Sequence, residues 1–149
     1  MDPITAVGFA ASILTFIDFS WNLVAGTYEV LNSATCSTSE NAHIGNVIDD
    51  LKKATDGLDS EMLGNSKHEM ALRELSTKCA NLSEDLLKQL GKLKVKGENS
   101  KWKSLKVKWD SMRKEKNVES MVRRLDEYRS QILIRLNLML RQVSDKPDN

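Results

Sequence analysis

The side chains best suited to chemistry in this 149-residue sequence are two cysteines and two histidines. Cys36, His43, His68 and Cys79 could in principle gather around zinc, because thiolate sulfur and imidazole nitrogen are ligands that zinc prefers. Their spacing follows no known zinc pattern, and no CxxC pair suggests a redox centre. We therefore interpret both cysteines as reduced thiols of a cytosolic protein, and we predict neither a metal nor a cofactor.

Catalytic signatures are absent from the sequence as well. There is no glycine-rich phosphate loop, no HExxH and no GxSxG, and neither histidine has a partner nearby in the sequence. A triad built from distant residues would have to draw on the same two histidines and two cysteines. We predict that the chain is not an enzyme and has no catalytic residue.

Charge is distributed unevenly, although the net charge is only +1. Residues 1–66 contain two Lys against nine Asp and Glu, whereas residues 92–116 contain ten Lys and Arg against three acids. Attraction between helices and solubility explain this asymmetry in the simplest way. The alternative is a basic face for anionic lipid or nucleic acid.

The basic region includes a predicted short helix with two tryptophans seven residues apart, Trp102 and Trp109. This spacing places both rings on one helical face, either as core anchors or as side chains presented to a membrane surface or nucleic acid. We expect no sequence-specific nucleic-acid binding. The residues of a hypothetical lipid-facing patch are Lys101, Lys103, Lys106 and Lys108.

The first thirty residues are the most apolar part of the chain. From Ile4 to Ala25, fifteen of 22 residues are apolar, and Asp18 is the only ionised side chain. Asp2 followed by Pro3 predicts a helix start. One narrow stripe of small or polar residues follows the helical repeat: Gly8, Ser12, Thr15, Asn22, Gly26 and Glu29. Such a helix must be surrounded on its other sides by helices or by lipid.

This apolar opening does not fit a secretory signal, because the first basic residue is Lys52. A permanent transmembrane helix also fits poorly, since Asp18 at the bilayer centre would cost about 2.5–3.5 kcal/mol. As a helix, residues 4–24 would span about 31 Å, which is close to the thickness of a bilayer core. The length therefore permits insertion without requiring it.

The rest of the chain is typical of amphipathic helices. Ser37 with Glu40, and Ser66 with Glu69, predict two capping boxes. Apolar residues at helical spacing then form a seam in the third helix, namely Leu72, Leu75, Cys79, Leu82, Leu86, Leu90 and Leu93. The last helix has a similar seam of Met121, Leu125, Tyr128, Ile132, Leu136, Met139 and Val143. Its second half, ILIRLNLML, is apolar almost all round, which predicts a central position or a covering partner.

These patterns predict an all-α bundle of four or five helices with the hydrophobic first helix at its centre. The expected helices cover roughly residues 4–32, 39–63, 67–94, 101–115 and 118–143. No alternating strand pattern is present. One domain, residues 1–143, is followed by a linker-like tail at 144–149.

Several stretches closely resemble the HeLo-like N-terminal domain that precedes the nucleotide-binding module in many fungal NACHT and ankyrin-repeat STAND proteins. The resemblance is closest in MDPITAVGFAASILTFIDFSWNLVAGTYEVLNSAT and SENAHIGNVIDDL. It continues more loosely through the leucine-rich third helix, KWKSLKVKWDSM and RRLDEYRSQILIRL. It covers nearly the whole chain and consists of packing residues.

The resemblance implies an effector domain of a fungal NOD-like receptor in heterokaryon incompatibility or innate immunity. Oligomerisation of downstream NTPase and repeat domains would cluster the N-termini, and the first helix would move from the cytoplasm to the plasma membrane, where anionic lipids are further partners. The residues of the inserting surface would be Ile4, Val7, Phe9, Ile13, Leu14, Phe16 and Ile17. The alternative is a soluble oligomerisation or adaptor module whose first helix stays in the core.

Overall fold

The computed structural model describes residues 3–25, 40–59, 63–93, 109 and 111–145 of the chain. It contains four long helices, which are α1 (Pro3–Val24), α2 (Glu40–Asp56), α3 (Lys67–Leu93) and α4 (Lys116–Asp145). Trp109 and residues 111–113 are also helical and precede a turn at 114–115. No strand occurs in these ranges. The predicted all-α bundle is confirmed.

The first helix is the element on which the others pack. α1 contacts α2, α3 and α4, and its contact with α4 is the most extensive in the bundle. Its buried residues recur every three or four positions, as in Ala6, Ala10, Ile13 and Ile17, so one side of the helix faces its neighbours throughout. The prediction of a central N-terminal helix is therefore confirmed.

Polar contacts fix the relative directions of three helices. Asp18 of α1 lies near Arg129 of α4, and the end of α1 lies near Arg113, just before α4 begins. α1 and α4 are therefore antiparallel. α3 and α4 are antiparallel too, because His68 at the start of α3 reaches the far end of α4. The starts of α1 and α3 thus meet the end of α4, and we call this the N-terminal end of the bundle.

The seam predicted for α3 is confirmed by burial. Every described seam residue from Leu72 to Leu90 lies in the core, including Cys79, where burial raises the pKa of the thiol to about 12. In α4 the seam is buried as predicted, except that Leu136 is only partly covered. The side chains of Leu93 and Val143 lie outside the described residues.

Two predicted helix ends are wrong. α1 ends at Val24 instead of residue 32. The side chain of Arg113 donates a hydrogen bond to the Val24 carbonyl, which would accept a backbone N–H if the helix continued. α2 ends at Asp56 instead of residue 63. Gly57 follows directly, which weakens helix propagation, and the N–H of Leu58 turns back to the carbonyl of Thr55 at 2.9 Å. Leu58 lies within the predicted helical range and is buried, but in a connection and not in a helix.

The start of α3 is held by the predicted capping box. The Ser66 hydroxyl accepts the N–H of Glu69 at 3.2 Å and donates to its carboxylate at 2.7 Å. The same carboxylate accepts the N–H of Gly64, and Arg73 donates to the carbonyls of Leu63 and Gly64 at 2.6 and 3.1 Å. Hydrogen bonds from Ser66 and Gly64 hold the pKa of Glu69 below its ordinary value. Ser37, from the other predicted box, lies outside the described residues.

Candidate functional site

The seven residues predicted to enter a membrane are spread around α1 and do not form one surface. Ile13, Phe16 and Ile17 are fully buried in the core. Val7, Phe9 and Leu14 are partly buried against its edge, while Ile4 is 79% exposed. Release of α1 would therefore have to uncover these three residues together with the other core residues of the helix, Ala6, Ala10, Leu23 and Val24, whereas its first turn already presents an apolar side chain to the surroundings.

Opposite its buried side, α1 has the predicted stripe of small and polar residues. Gly8, Thr15 and Asn22 are exposed, and Ser12 is half-buried. The Ser12 hydroxyl donates to the Gly8 carbonyl at 3.3 Å, and the Thr15 hydroxyl donates to the Ala11 carbonyl at 3.0 Å. Because these hydroxyls bond to their own helix, they are satisfied without water. This arrangement lowers the penalty for moving the stripe into an apolar environment.

The one charge of α1 has a partner on α4. Asp18 Oδ1 lies 3.6 Å from Arg129 Nη1, and both side chains are about half exposed. This is an ion pair without a hydrogen bond, since the same oxygen has no hydrogen-bond donor within range. Such a pair contributes at most about 1 kcal/mol, so it orients α1 on α4 more than it fastens α1 there.

The C-terminal end of α1 is fastened by Arg113. Its Nε donates to the Val24 carbonyl at 3.1 Å and its Nη2 donates to the Ala25 carbonyl at 3.2 Å. A cation at this position complements both the unpaired carbonyls and the negative end of the helix dipole. Trp109 and Met112 are both buried in the core. Trp102, which was predicted to share a face with Trp109, lies outside the described residues. In the sequence Arg113 is one of the ten basic residues of 92–116, and nothing predicted this contact.

The N-terminal end of the bundle collects the exposed large apolar side chains of the described residues. They come from three helices and are 42–79% exposed: Ile4, Met70, Leu133, Ile134, Leu138 and Leu140. The second half of α4, expected to be central or covered, thus supplies four exposed residues.

A polar bridge crosses the same end between α3 and α4. Arg135 Nη1 lies 3.0 Å from His68 Nδ1, and His68 Nε2 lies 3.0 Å from the Gln142 side-chain oxygen. Since arginine can only donate, Nδ1 accepts and Nε2 carries the proton that is donated to Gln142. The histidine thus has a structural role in helix pairing.

The remaining predicted site residues lie outside the residues that the structure describes, or their side chains do. Lys101, Lys103, Lys106 and Lys108 lie outside the described residues, as do Cys36 and the side chain of His43. Within the described ranges, no group of three His, Cys, Asp or Glu side chains could hold a metal ion.

By length and composition alone, Ile4–Val24 could cross a membrane, and it is the one such helix among the described residues. Only 33% of its most apolar 18-residue window is buried in the bundle. Comparison of the chain with protein-family models, with curated proteins and with solved structures finds no match.

Proposed function

We propose that this chain is a HeLo-like effector domain that induces cell death by carrying α1 to a membrane. In this proposal the domain is cytoplasmic until downstream NTPase or repeat domains cluster it. The clustered domains associate with one another, and α1 then enters the plasma membrane with help from anionic lipids. No catalytic step is assigned to the chain.

One observation carries the proposal: α1 has more apolar surface than the bundle uses. One third of the residues in its most apolar window are fully buried, Ile4 is exposed, several others such as Phe9 and Leu14 are only partly covered, and a single ionised residue interrupts the window. The outward hydroxyls are bonded internally, and the N-terminal turn is exposed while the C-terminal turn is held by Arg113. These features support a helix that leaves the bundle from its N-terminal end.

Ile4→Glu tests the proposal with little effect on folding, because the replaced side chain is 79% exposed. We expect dye leakage from anionic liposomes, driven by an oligomerising fusion partner, to be lost while the helical signal and thermal midpoint are retained. A charge in the inserted helix is penalised only in the membrane state.

Met70→Glu is the matched control, since Met70 is also apolar and exposed at the same end but belongs to α3. If α1 alone enters the bilayer, this variant should leak like the wild type. Full leakage by Ile4→Glu would contradict insertion. Equal loss in both variants would replace insertion of α1 by docking of the whole N-terminal end.

A second candidate is a soluble oligomerisation or adaptor module in which α1 never leaves the core. The complete burial of Ile13, Phe16 and Ile17 favours it, because exposing those side chains would cost several kcal/mol. This candidate predicts concentration-dependent self-association in sedimentation velocity and no leakage at any protein concentration.

A further inference from the structure

The outward side of α4 has a regular row of exposed side chains. They are Glu127, Gln131, Ile134, Leu138 and Arg141. Their intervals of four, three, four and three residues place them along one side of the helix, away from the buried seam. We call these five residues the α4 row.

Two large apolar side chains lie in the middle and second half of the α4 row. Ile134 is 62% exposed and Leu138 is 43% exposed. Ile134 also borders a groove of about 330 Å³ between α3 and α4, which is lined by Leu75 and Lys78 of α3 as well. Because the ridges of one helix pack into the grooves of another, this surface has the shape to receive a second helix.

The two ends of the α4 row have opposite charges at equal distances from Ile134. Glu127 lies seven residues before Ile134, and Arg141 lies seven residues after it. The Gln131 side chain donates a hydrogen bond to the Glu127 carboxylate at 3.2 Å, which holds the carboxylate along the row. Within the described part of the chain, neither Glu127 nor Arg141 forms an ion pair. The row is thus complementary in charge to its own reverse.

This symmetry points to a second copy of the chain as the partner. When two α4 helices cross antiparallel at Ile134, Glu127 of each copy lies opposite Arg141 of the other, so two ion pairs form around a two-fold axis. A parallel arrangement would instead place Glu127 against Glu127 and Arg141 against Arg141, which is repulsive. The antiparallel arrangement also places Leu138 of one copy over the space between Gln131 and Ile134 of the other.

We propose that the α4 row is a homodimer interface in which two copies pair antiparallel about Ile134. Both functions considered above include association of the domain with itself, so the inference rests on that self-association and not on the entry of α1 into a membrane. One helix face is smaller than the roughly 800 Å² per partner of a standard interface. We therefore expect a weak dimer in free solution, which clustering of the domain strengthens by raising the local concentration.

Sedimentation equilibrium without lipid, between about 10 µM and about 1 mM protein, tests the interface. The average mass should rise from that of a monomer toward that of a dimer. Ile134→Glu should weaken association by about tenfold or more, because it removes the apolar centre and brings two like charges together at the two-fold axis.

Leu140→Glu is the matched control for Ile134→Glu. Leu140 is 49% exposed on the same helix, but it lies about a third of a turn around α4 from Ile134. It should change the dissociation constant by less than about twofold. Circular dichroism should show an unchanged helical signal in both variants, because both replaced side chains are exposed.

A charge-reversal series tests the antiparallel direction. Glu127→Arg and Arg141→Glu should each weaken the dimer by about threefold or more, because each places like charges opposite one another at two symmetric positions. The double variant E127R/R141E restores opposite charges and should associate within about twofold of the wild type. In a parallel pair the reversals would leave every like-charged contact in place, so no member of the series would differ.

A wild-type chain that stays monomeric at the highest concentration would overturn the proposal. Equal weakening by Ile134→Glu and Leu140→Glu would overturn it too, as would a double variant that associates no more tightly than the single variants. If the chain is monomeric without lipid and Ile134→Glu loses binding to anionic vesicles, the row is a membrane surface instead. Self-association without liposome leakage would keep the interface and remove the membrane step, so the two proposals can fail separately.

Discussion

α1 and α3 begin at the same end of the bundle and have comparable lengths of 22 and 27 residues, but they use their surfaces differently. α3 buries one seam and presents charged residues elsewhere, such as Lys67, Glu74 and Glu84. α1 buries one side and keeps Phe9 and Trp21 only partly covered at its flanks. α3 leaves Met70 exposed and Leu87 partly covered, but α1 leaves more of its apolar surface unused, since Ile4 is exposed and Val7, Phe9, Leu14, Phe19 and Trp21 are only partly covered. Apolar surface that the bundle leaves uncovered is typical of sites that bind a partner or a membrane, so we look for the function of the domain on α1.

The two helices are also held at opposite ends. α3 is fixed at its N-terminus by Ser66, Glu69 and Arg73. α1 is fixed at its C-terminus by Arg113, whereas Ile4 in its first turn is exposed. Fraying therefore begins in α1 at the end that carries its most exposed apolar residue.

The largest expected effect tests whether the buried sides of the two helices are equivalent. Phe16→Ala should lower the free energy of unfolding by about 3–5 kcal/mol and Leu82→Ala by about 2–5 kcal/mol, because both side chains are fully buried. Phe9→Ala is the matched control on the partly covered flank and should cost clearly less. Urea unfolding followed by circular dichroism measures all three. A cost for Phe16→Ala no larger than that for Phe9→Ala would show that α1 is not a core helix.

An intermediate effect tests the polar start of α3. Ser66→Ala should cost about 1 kcal/mol, because the N–H of Glu69 loses its acceptor. Ser130→Ala, at an exposed position within α4, should be neutral or slightly stabilising. Thermal denaturation of both variants checks this. Equal effects would mean that the cap does not hold α3.

The pH dependence of thermal stability tests the contribution of Glu69 to the same cap. The folded-state pKa of Glu69 is below its unfolded value near 4.5, so its stabilising effect is complete above that value and is lost as the pH falls through the folded pKa. We expect the thermal midpoints of wild type and Glu69→Gln to differ at neutral pH and to converge in acid. A constant difference across this range would show that the carboxylate charge is not what holds the cap.

The smallest effect concerns the ion pair between α1 and α4. Arg129→Gln should change the free energy of unfolding by less than about 1 kcal/mol, because both partners are half exposed. A double-mutant cycle with Asp18→Asn, repeated at high salt, isolates the pair. A coupling above about 2 kcal/mol would mean that the pair fastens α1 to α4 and is not a weak surface ion pair.

The spacing of residues in the sequence predicted features that lie within a single helix, such as its buried seam and its N-terminal cap. The α3 seam and the Ser66–Glu69 cap both follow from local spacing, and both are present. The end of α2 was misjudged because Leu58 keeps the helical spacing beyond Gly57, and burial alone does not distinguish a helix from a turn.

Contacts between distant residues could not be predicted in the same way. Arg113 meets Val24 across 89 positions, and His68 meets Gln142 across 74. Nothing in the local pattern distinguishes Arg113 from the other basic residues around it. The ion pair of Asp85 and Arg124 could not be predicted for the same reason, since it forms only when α3 and α4 pack.

The buried thiol of Cys79 provides the bundle with an internal reporter of its opening. With a pKa near 12 and no exposed surface, the sulfur is protonated and shielded in the closed bundle, so a thiol reagent can react only while the core is open. In a Cys36→Ser background, with enough reagent that labelling outpaces reclosing, the labelling rate would therefore give the time that the closed state survives. A rate that rises on vesicle addition, in step with leakage, would link the release of α1 to the opening of the core in real time.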